Sequence, residues 1–235
     1  MKKFYIIFSV IIFMVFSNSF SQTPHPGSVT AGVNFPAGDF GKVYKSGISA
    51  EAGLYYYIPM TNLDVSFTLG YNGFTYKNDY FTGLVKSNLG VDVSGFNADW
   101  TASDIPIMLG LKYKFPVGGF NPYISGELGL HLMSYNDRFI EGTTITGNST
   151  DPTTFQLTGK TEKSSETGFG YAFGAGVEIP LIKIINLVIG AKYYYNGTTY
   201  SKSYTIFRNN NSQFTAPELK NVSFVTLRGG ILVIF

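Results

Sequence analysis

The chain has 235 residues, no cysteine and a formal net charge of +2 at pH 7. Aromatic residues make up 17% of it and charged residues only 14%, and there are 27 glycines. The aromatic content excludes a disordered chain, the lack of cysteine excludes a disulfide scaffold, and the charge gives no basic surface for nucleic acid. The length allows one domain, or at most two.

The start of the chain has the features of a secretory signal peptide. Two lysines follow the first methionine, and residues 4–16 form an apolar run of about 13 residues, within the usual range for a signal. Ser19 and Ser21 are small residues spaced as at a cleavage site, so we predict a signal peptide over residues 1–21. A membrane anchor is the alternative, but a spanning helix needs about 20 apolar residues.

Cleavage changes the charge of the protein. The signal carries two lysines and no acidic residue, so Lys+Arg falls from 17 to 15 and equals the 15 Asp+Glu. The mature chain then has no net charge, and the apparent basicity belongs to the signal. We therefore expect neither nucleic acid nor an anionic surface as a partner.

The mature chain alternates apolar with small or polar residues along eight stretches. In one of them, Val65 and Phe67 flank Ser66. This period of two is typical of β-strands with one apolar face. The eight stretches are residues 27–35, 46–58, 63–72, 105–115, 123–132, 169–179, 187–196 and 224–235. No stretch after the signal reaches 18 consecutive apolar residues, which argues against a helical membrane protein.

The connections between these stretches alternate in length. The long ones are 36–46, 77–102, 136–167 and 201–221, and the short ones are 59–62, 116–121 and 180–186. A soluble sandwich has no reason to place every long loop at one end, whereas outer-membrane barrels have short periplasmic turns and longer extracellular loops. In lipid a sheet must also close on itself to pair its backbone groups. The sequence predicts an all-β fold, a closed antiparallel transmembrane β-barrel of about eight strands in an up-and-down meander over residues 22–235.

A barrel accounts for the composition. The apolar face points toward lipid, so we expect the aromatic residues mainly on the lipid face and at the membrane interfaces, and the glycines in a narrow interior. With eight strands the interior is just wide enough to be filled by side chains, while a water-filled channel needs about 16. Diffusion-porin activity is therefore disfavoured.

Six charged residues fall on the inward face of the predicted strands, three acidic and three basic. They are Glu51, Lys112, Glu127, Glu178, Lys192 and Arg228. An isolated charge in this position would lower the free energy of unfolding by several kcal/mol, so we predict that the six residues form a structural ion-pair cluster that fills the lumen. The alternative is a gated polar path. Counted from the short turns, four of the six (all except Lys112 and Glu178) lie at a similar depth.

The last strand resembles the C-terminal targeting signal of bacterial outer-membrane barrels. Arg228, Gly230, Val233 and Phe235 match its polar, glycine, hydrophobic and terminal aromatic positions. This resemblance implies that the barrel-assembly machinery recognises the strand, which makes these four residues a predicted assembly signal.

The whole mature chain resembles small outer-membrane barrels of the OmpA/OmpX kind. It is most similar to the stand-alone outer membrane protein beta-barrel domain group, which is common in Bacteroidetes-type bacteria. The N-terminal segment GVNFPAGDF at residues 32–40, followed by Tyr44 and Gly47, resembles the start of the mature chain in many members of this group. The chain stops at the last strand, without the periplasmic peptidoglycan-binding domain of full OmpA proteins. We therefore do not expect a role in tethering the cell wall.

Few residues suggest chemistry. His131 faces inward near Ser134 and Asp137, but their spacing does not single out a catalytic group, and a lumen-filling histidine is the simpler interpretation. The other histidine, His25, is distant, and with no cysteine a transition-metal cluster is not expected. We predict no catalytic residue, no metal and no cofactor.

The long connections are the remaining place for specificity. The connection 77–102 carries Tyr80, Phe81, Phe96 and Trp100. Aromatic residues among polar ones are typical of a binding surface. Ordinary loop packing above the barrel rim is the alternative.

These observations indicate a non-enzymatic integral protein of the bacterial outer membrane, with a structural role or a surface-interaction role through its extracellular loops. The alternative is a subunit of an envelope secretion or transport assembly, and a narrow pore or a rim enzyme is less favoured. The expected partners are outer-membrane lipid, the barrel-assembly machinery during biogenesis, and an extracellular or envelope protein.

Overall fold

The computed structural model describes residues 25–90, 92–94, 101–136, 138–146, 153–161, 164–201, 203–208 and 211–235. The predicted signal peptide lies outside these residues. In the described part of the chain, no helix is long and apolar enough to cross a membrane.

Eight long strands form the main sheet, and shorter elements lie in the connections. The long strands are β1 (Pro26–Pro36), β3 (Gly47–Tyr57), β4 (Leu63–Tyr76), β6 (Thr101–Lys114), β7 (Asn121–Tyr135), β10 (Ser164–Ile182), β11 (Ile185–Ser201) and β14 (Leu219–Ile234). The shorter elements are α1 (Gly38–Val43), β2 (Tyr44–Lys45), α2 (Asn78–Leu89), β5 (Asp92–Ser94), β8 (Arg138–Thr146), β9 (Thr153–Thr161), β12 (Tyr204–Arg208) and β13 (Asn211–Ala216).

The eight long strands close into a ring. Each pairs antiparallel with the long strands before and after it, β1 pairs with β14 from Pro26↔Ile234 to Pro36↔Phe224, and β4 pairs with β6 to complete the circle. The order is a meander, so the predicted all-β barrel of eight strands is confirmed. Every predicted stretch overlaps one of these strands, and the long and short connections alternate as expected.

The two faces of the wall differ as the alternation predicts. In β4, Ser66 and Thr68 are buried, whereas Val65 and Phe67 on the other face are 39% and 43% exposed. Along this part of the wall, apolar side chains therefore face outward and polar ones inward, which is the reverse of a soluble protein. This pattern suits a wall whose outer solvent is lipid.

One short break interrupts the pairing of β4 with β6. The hydrogen-bonded ladder omits Gly70 and Tyr71 of β4. Pro106 lies opposite them on β6, and the pairing is interrupted because proline has no backbone N–H to donate. The proline ring lies over Gly70, where an added Cβ would come within 2.9 Å of its Cγ. A glycine is therefore required at this position for the wall to accept the proline.

The long connections build a second sheet that the sequence analysis did not predict. Its five strands are ordered β13-β12-β9-β8-β5, and all of them come from three of the four long connections. The barrel wall itself also extends at this end, since β10 has 19 residues and a membrane-spanning strand needs about 9–11. The protein thus has a substantial layer of β-structure beyond the membrane.

Candidate functional site

The outer part of the lumen is filled by apolar side chains. We call this group the aromatic plug, and it consists of Phe40, Val43, Tyr44, Phe74, Tyr76, Tyr200 and Phe224, all buried. The ring of Phe40 is at its centre, with ring centroids of Tyr44 and Phe74 at 4.8 and 4.9 Å. These aromatic residues point into the barrel, so the expectation that aromatics lie mainly on the lipid face and at the interfaces is wrong for this end.

The plug exists because the first long connection folds inward. Gly41 lies against the backbone of Pro36, where an added Cβ would come within 2.6 Å of the Pro36 carbonyl oxygen. Ala37 donates its N–H to the Ser223 carbonyl at 2.9 Å, which ties the segment to β14. The Tyr44 hydroxyl donates to the Tyr200 carbonyl at 3.2 Å, which ties it to β11. Helix α1 is therefore held across the mouth of the barrel.

Below the plug lies a group of four charged side chains, Glu51, Glu127, Lys192 and Arg228, which we call the central charge cluster. The Lys192 Nζ is 2.9 Å from Glu51 and 2.5 Å from Glu127. Arg228 pairs with the other oxygen of Glu51. All four side chains are at most 7% exposed, and two acids balance two bases.

Neutral groups complete the central charge cluster. The Tyr194 hydroxyl donates to Glu51 at 2.6 Å, and the Thr68 hydroxyl donates to Glu127 at 2.8 Å. The Tyr194 ring also stacks on Phe224 at 4.8 Å, so it joins this cluster to the aromatic plug. The extra hydrogen bonds matter because paired charges that are removed from water stay stable only when their remaining oxygens are satisfied.

A second group, Asp64, Lys112, Lys114 and Glu178, forms the lower charge cluster near the short turns. The Lys112 Nζ is 2.5 Å from Glu178, and the Lys114 Nζ is 2.7 Å from Asp64. Lys112 also lies 3.7 Å from the ring centroid of Tyr55, a cation–π contact. The lumen is therefore packed with paired side chains at this end as well.

His131 belongs to a separate buried pair. Its Nδ1 is 2.9 Å from a carboxylate oxygen of Asp104, and Asn72 donates to that carboxylate at 3.4 Å. Ser134 lies on the other face of β7, and Asp137 lies outside the described residues. The structure does not bring His131 and Ser134 together.

The six charged residues singled out from the sequence all point inward, but they fall into two groups. Four of them form the central charge cluster, while Lys112 and Glu178 pair in the lower one. Sequence reasoning missed Asp64, Asp104 and Lys114, which also point inward. Their positions in the alternation were visible, and their partners lie on the neighbouring strand, since Asp64 pairs with Lys114 across β4 and β6 and Asp104 with His131 across β6 and β7.

In the described part of the chain, no three His, Asp or Glu side chains are grouped as metal ligands. The acidic side chains of the lumen are instead paired with lysine, arginine or histidine. Their arrangement favours structure over coordination chemistry.

The residues of the predicted assembly signal lie along β14. Arg228 contributes to the central charge cluster, and Gly230 lies so close to β1 that an added Cβ would come within 2.6 Å of the Cα of Thr30. Phe235 is 60% exposed on the outer surface, and its carbonyl accepts a hydrogen bond from the N–H of His25 at 3.0 Å. The terminal aromatic ring is thus displayed at the seam where the ends of the barrel meet.

Deleting Phe235 is expected to reduce assembly more than it reduces the stability of the folded barrel, because the exposed ring makes few packing contacts. The measurement is the amount of protein in the outer-membrane fraction that migrates faster on an unheated denaturing gel than after boiling. Phe235→Tyr, which keeps a terminal aromatic ring, serves as the control. Equal amounts of folded protein with and without the residue would contradict the prediction.

Comparisons with known proteins found a family model and several solved structures that are similar to this chain. No curated protein matches the chain. Neisserial surface protein A is 15% identical with a TM-score of 0.46, and the alignment covers 90% of this chain and 97% of that one. Ail of Yersinia pestis, in complex with the heparin analogue sucrose octasulfate, is 13% identical with a TM-score of 0.39, covering 89% and 99%. The outer membrane protease OmpT from Escherichia coli is 9% identical with a TM-score of 0.41, covering 92% and 98%.

A family described as "Outer membrane protein beta-barrel domain" matches residues 7–217. The match covers most of the chain and ends shortly before β14. It agrees with the closed ring of eight antiparallel strands and with their lipid-facing outer surface. The chain therefore belongs to the outer membrane protein beta-barrel domain family, and its place is the bacterial outer membrane.

Proposed function

We propose that the protein is a non-enzymatic, non-conducting barrel that acts through the structure it presents outside the membrane. The observation that carries the proposal is the filled lumen. The aromatic plug closes the outer end, and the central and lower charge clusters occupy the rest. No solute-sized passage is compatible with side chains packed in this way.

The layer beyond the membrane supports a surface role. Three of the long connections contribute strands to one five-stranded sheet, so they form a common platform rather than separate loops. Helix α2 contributes by packing Phe81 and Val85 into the protein, both fully buried. Phe81 therefore serves loop packing, and Phe96 and Trp100 lie outside the described residues.

The buried state of His131 supports a non-enzymatic role. A general base must reach its substrate, directly or through one water molecule. His131 and Asp104 are both wholly buried in the barrel, beneath the aromatic plug. Ser134, which follows His131 closely in the sequence, lies on the opposite face of the strand.

The purified protein is expected to show no unitary conductance steps in planar lipid bilayers, because ions cannot pass the packed lumen. A water-filled porin inserted into the same lipid provides the positive control, and faster migration on an unheated gel shows that the protein is folded. Regular conductance steps from folded wild-type protein would overturn the proposal of a closed barrel.

A place in an envelope assembly remains the alternative role for the same closed barrel. The two roles differ in whether the protein has a stable partner within the envelope. Extraction in a gentle detergent followed by identification of co-purifying proteins separates them. A stoichiometric envelope partner would favour the assembly role, and recovery of the barrel alone would favour the surface role.

A further inference from the structure

A groove with a volume of about 570 Å³ lies on the barrel wall at the end that carries the long connections. It crosses the outer ends of β3, β4, β6 and β7. Its floor belongs to the outward face of these strands, and two buried residues, Phe74 of the aromatic plug and Ala102, also border it. None of the contacts described above explains it.

The floor of the groove is a row of small residues in register. Gly73 of β4 pairs with Ser103 of β6, and Ser103 pairs with Ser134 of β7. Three adjacent strands thus present almost no side-chain volume at the same height. The wall is indented here because its neighbours above and below are larger.

The lower edge of the groove is apolar. Two residues closer to the membrane centre, the same outward faces carry Tyr71, Ile105 and Leu132, of which Tyr71 is 46% exposed and Leu132 is 38% exposed. Tyrosine is favoured at the level where the membrane core gives way to headgroups. The groove therefore lies at headgroup level, directly above the lipid-facing surface.

The upper edge and the floor offer neutral hydrogen-bonding groups. Asn136 donates its side-chain N–H to the Thr101 hydroxyl at 2.8 Å at the top, and Ser103 and Ser134 place hydroxyls below. The residues that line the groove, all in the described part of the chain, carry no charge. Lys45 is near the top, where it pairs with Thr75, but it is outside the lining.

The Tyr71 ring supplies a flat surface beside these hydroxyls. Its Cε1 and Oη atoms lie 3.5 Å from the position that a Cβ on Gly73 would take, so the ring leans across the glycine. A flat ring beside neutral donors and acceptors fits a hydroxyl-rich ligand without charge, and the volume is within the range of small-molecule sites. A sugar has this chemistry.

We propose that the groove holds the uncharged sugar headgroup of a membrane glycolipid, whose acyl chains lie along the apolar wall below Tyr71. The continuity between the neutral polar groove and the lipid-facing surface selects an amphiphile over a soluble sugar. The proposal goes beyond the surface role proposed above, since it concerns the lipid that surrounds the barrel.

Gly73→Val adds side-chain volume at the floor of the groove. An added Cβ would meet only Tyr71 and Ile48 at 3.5–3.8 Å, which is ordinary van der Waals contact. Gly197→Val is the matched control, because Gly197 is an exposed glycine at the outer end of β11, on the opposite wall, with no atom within 4 Å of an added Cβ. Both variants are checked for folding by their mobility on an unheated gel.

The experiment uses nanodiscs of phosphatidylcholine that contain a minor fraction of monogalactosyldiacylglycerol as the neutral glycolipid probe. Lipid that stays bound after transfer into detergent is measured by native mass spectrometry. We expect wild type and Gly197→Val to retain similar amounts of the galactolipid. Gly73→Val should retain about tenfold less, which corresponds to a loss of about 1.4 kcal/mol in binding free energy. In NMR spectra, the backbone amide signals of Ser103 and Ser134 should shift when the galactolipid is added to wild type. The same signals should not shift when it is added to Gly73→Val.

Four results would overturn the proposal. The first is equal retention by wild type and Gly73→Val, and the second is equal retention of phosphatidylcholine and galactolipid. The third is a shift of the Ser103 and Ser134 amides by methyl galactoside as large as that by the galactolipid, which would indicate a soluble sugar. The fourth is that phosphatidylglycerol displaces the galactolipid from wild type but not from Lys45→Ala. That result would indicate that the groove binds an anionic headgroup.

Discussion

Replacing Lys192 with methionine is expected to lower the free energy of unfolding by about 3–5 kcal/mol, the range for breaking a buried ion pair from one side. Lys192 is fully buried and forms ion pairs with both Glu51 and Glu127. The methionine would fill a similar volume but leave one excess negative charge in the lumen. Urea unfolding of the protein in lipid vesicles, followed by circular dichroism, measures the change.

Two further variants isolate the cause. Adding Glu127→Gln to the first substitution restores the charge balance and should recover much of the stability, since Glu51 keeps its pair with Arg228. Lys220→Met breaks a pair with Glu218 in which the side chains are 56% and 43% exposed, and should change stability by less than about 1 kcal/mol. Full stability of Lys192→Met, or no recovery in the double variant, would contradict the account of the central charge cluster.

Replacing Phe40 with alanine is expected to have the second large effect, a loss of about 3 kcal/mol, at the lower end of the range for a buried phenylalanine. The ring lies at the centre of the aromatic plug, with Tyr44, Phe74 and Tyr200 at ring-centroid distances of 4.8–5.0 Å. Without it, the segment 37–46 loses its main anchor. Trypsin should then cleave after Lys42 or Lys45 in the folded barrel much faster than in wild type.

Asp39→Ala is the matched control for this cleavage. Asp39 is on the same helix but is 74% exposed, paired with Lys42 at 2.7 Å. Its removal should leave the docking of α1 and the cleavage rate after Lys45 unchanged, while Phe40→Leu should show an intermediate rate. Equal cleavage of wild type and Phe40→Ala would mean that the ring does not hold the segment in the mouth.

The barrel wall was predictable from the sequence because each strand carries its own signal. The alternation of apolar and polar residues fixes which side of a strand faces lipid, and it depends on neighbours two positions apart. The inward direction of Glu51, Lys192 and Arg228 follows from this local rule. Turn residues at the short connections then limit how the strands are joined.

The contents of the lumen were only partly predictable, because they depend on distant contacts. The pairing of Lys192 with Glu51 joins residues 141 positions apart. The aromatic plug was missed because Phe74 and Tyr76, at the end of a strand, have the composition of an interfacial girdle. Phe40 follows a turn-like stretch that gives no sign of folding into the barrel.

The five-stranded outer sheet was missed for a related reason. The connection 136–167 is rich in threonine and lacks the clear alternation of the barrel strands. Its two strands, β8 and β9, pair with each other. Their outer edges pair with strands from other connections, β8 with β5 and β9 with β12. A sheet assembled from three separate loops leaves little trace in any one of them.

The hydrogen bonds between Ala37 and Ser223 have a consequence for the order of folding. The two residues are 186 positions apart, and Ser223 belongs to the last strand. Contacts between such distant residues form late, since the entropy of closing the intervening loop must be overcome first. The mouth therefore seals only when the last strand docks, and until then water still reaches the interior charges, so the lysines and carboxylates give up their hydration in the final step of assembly.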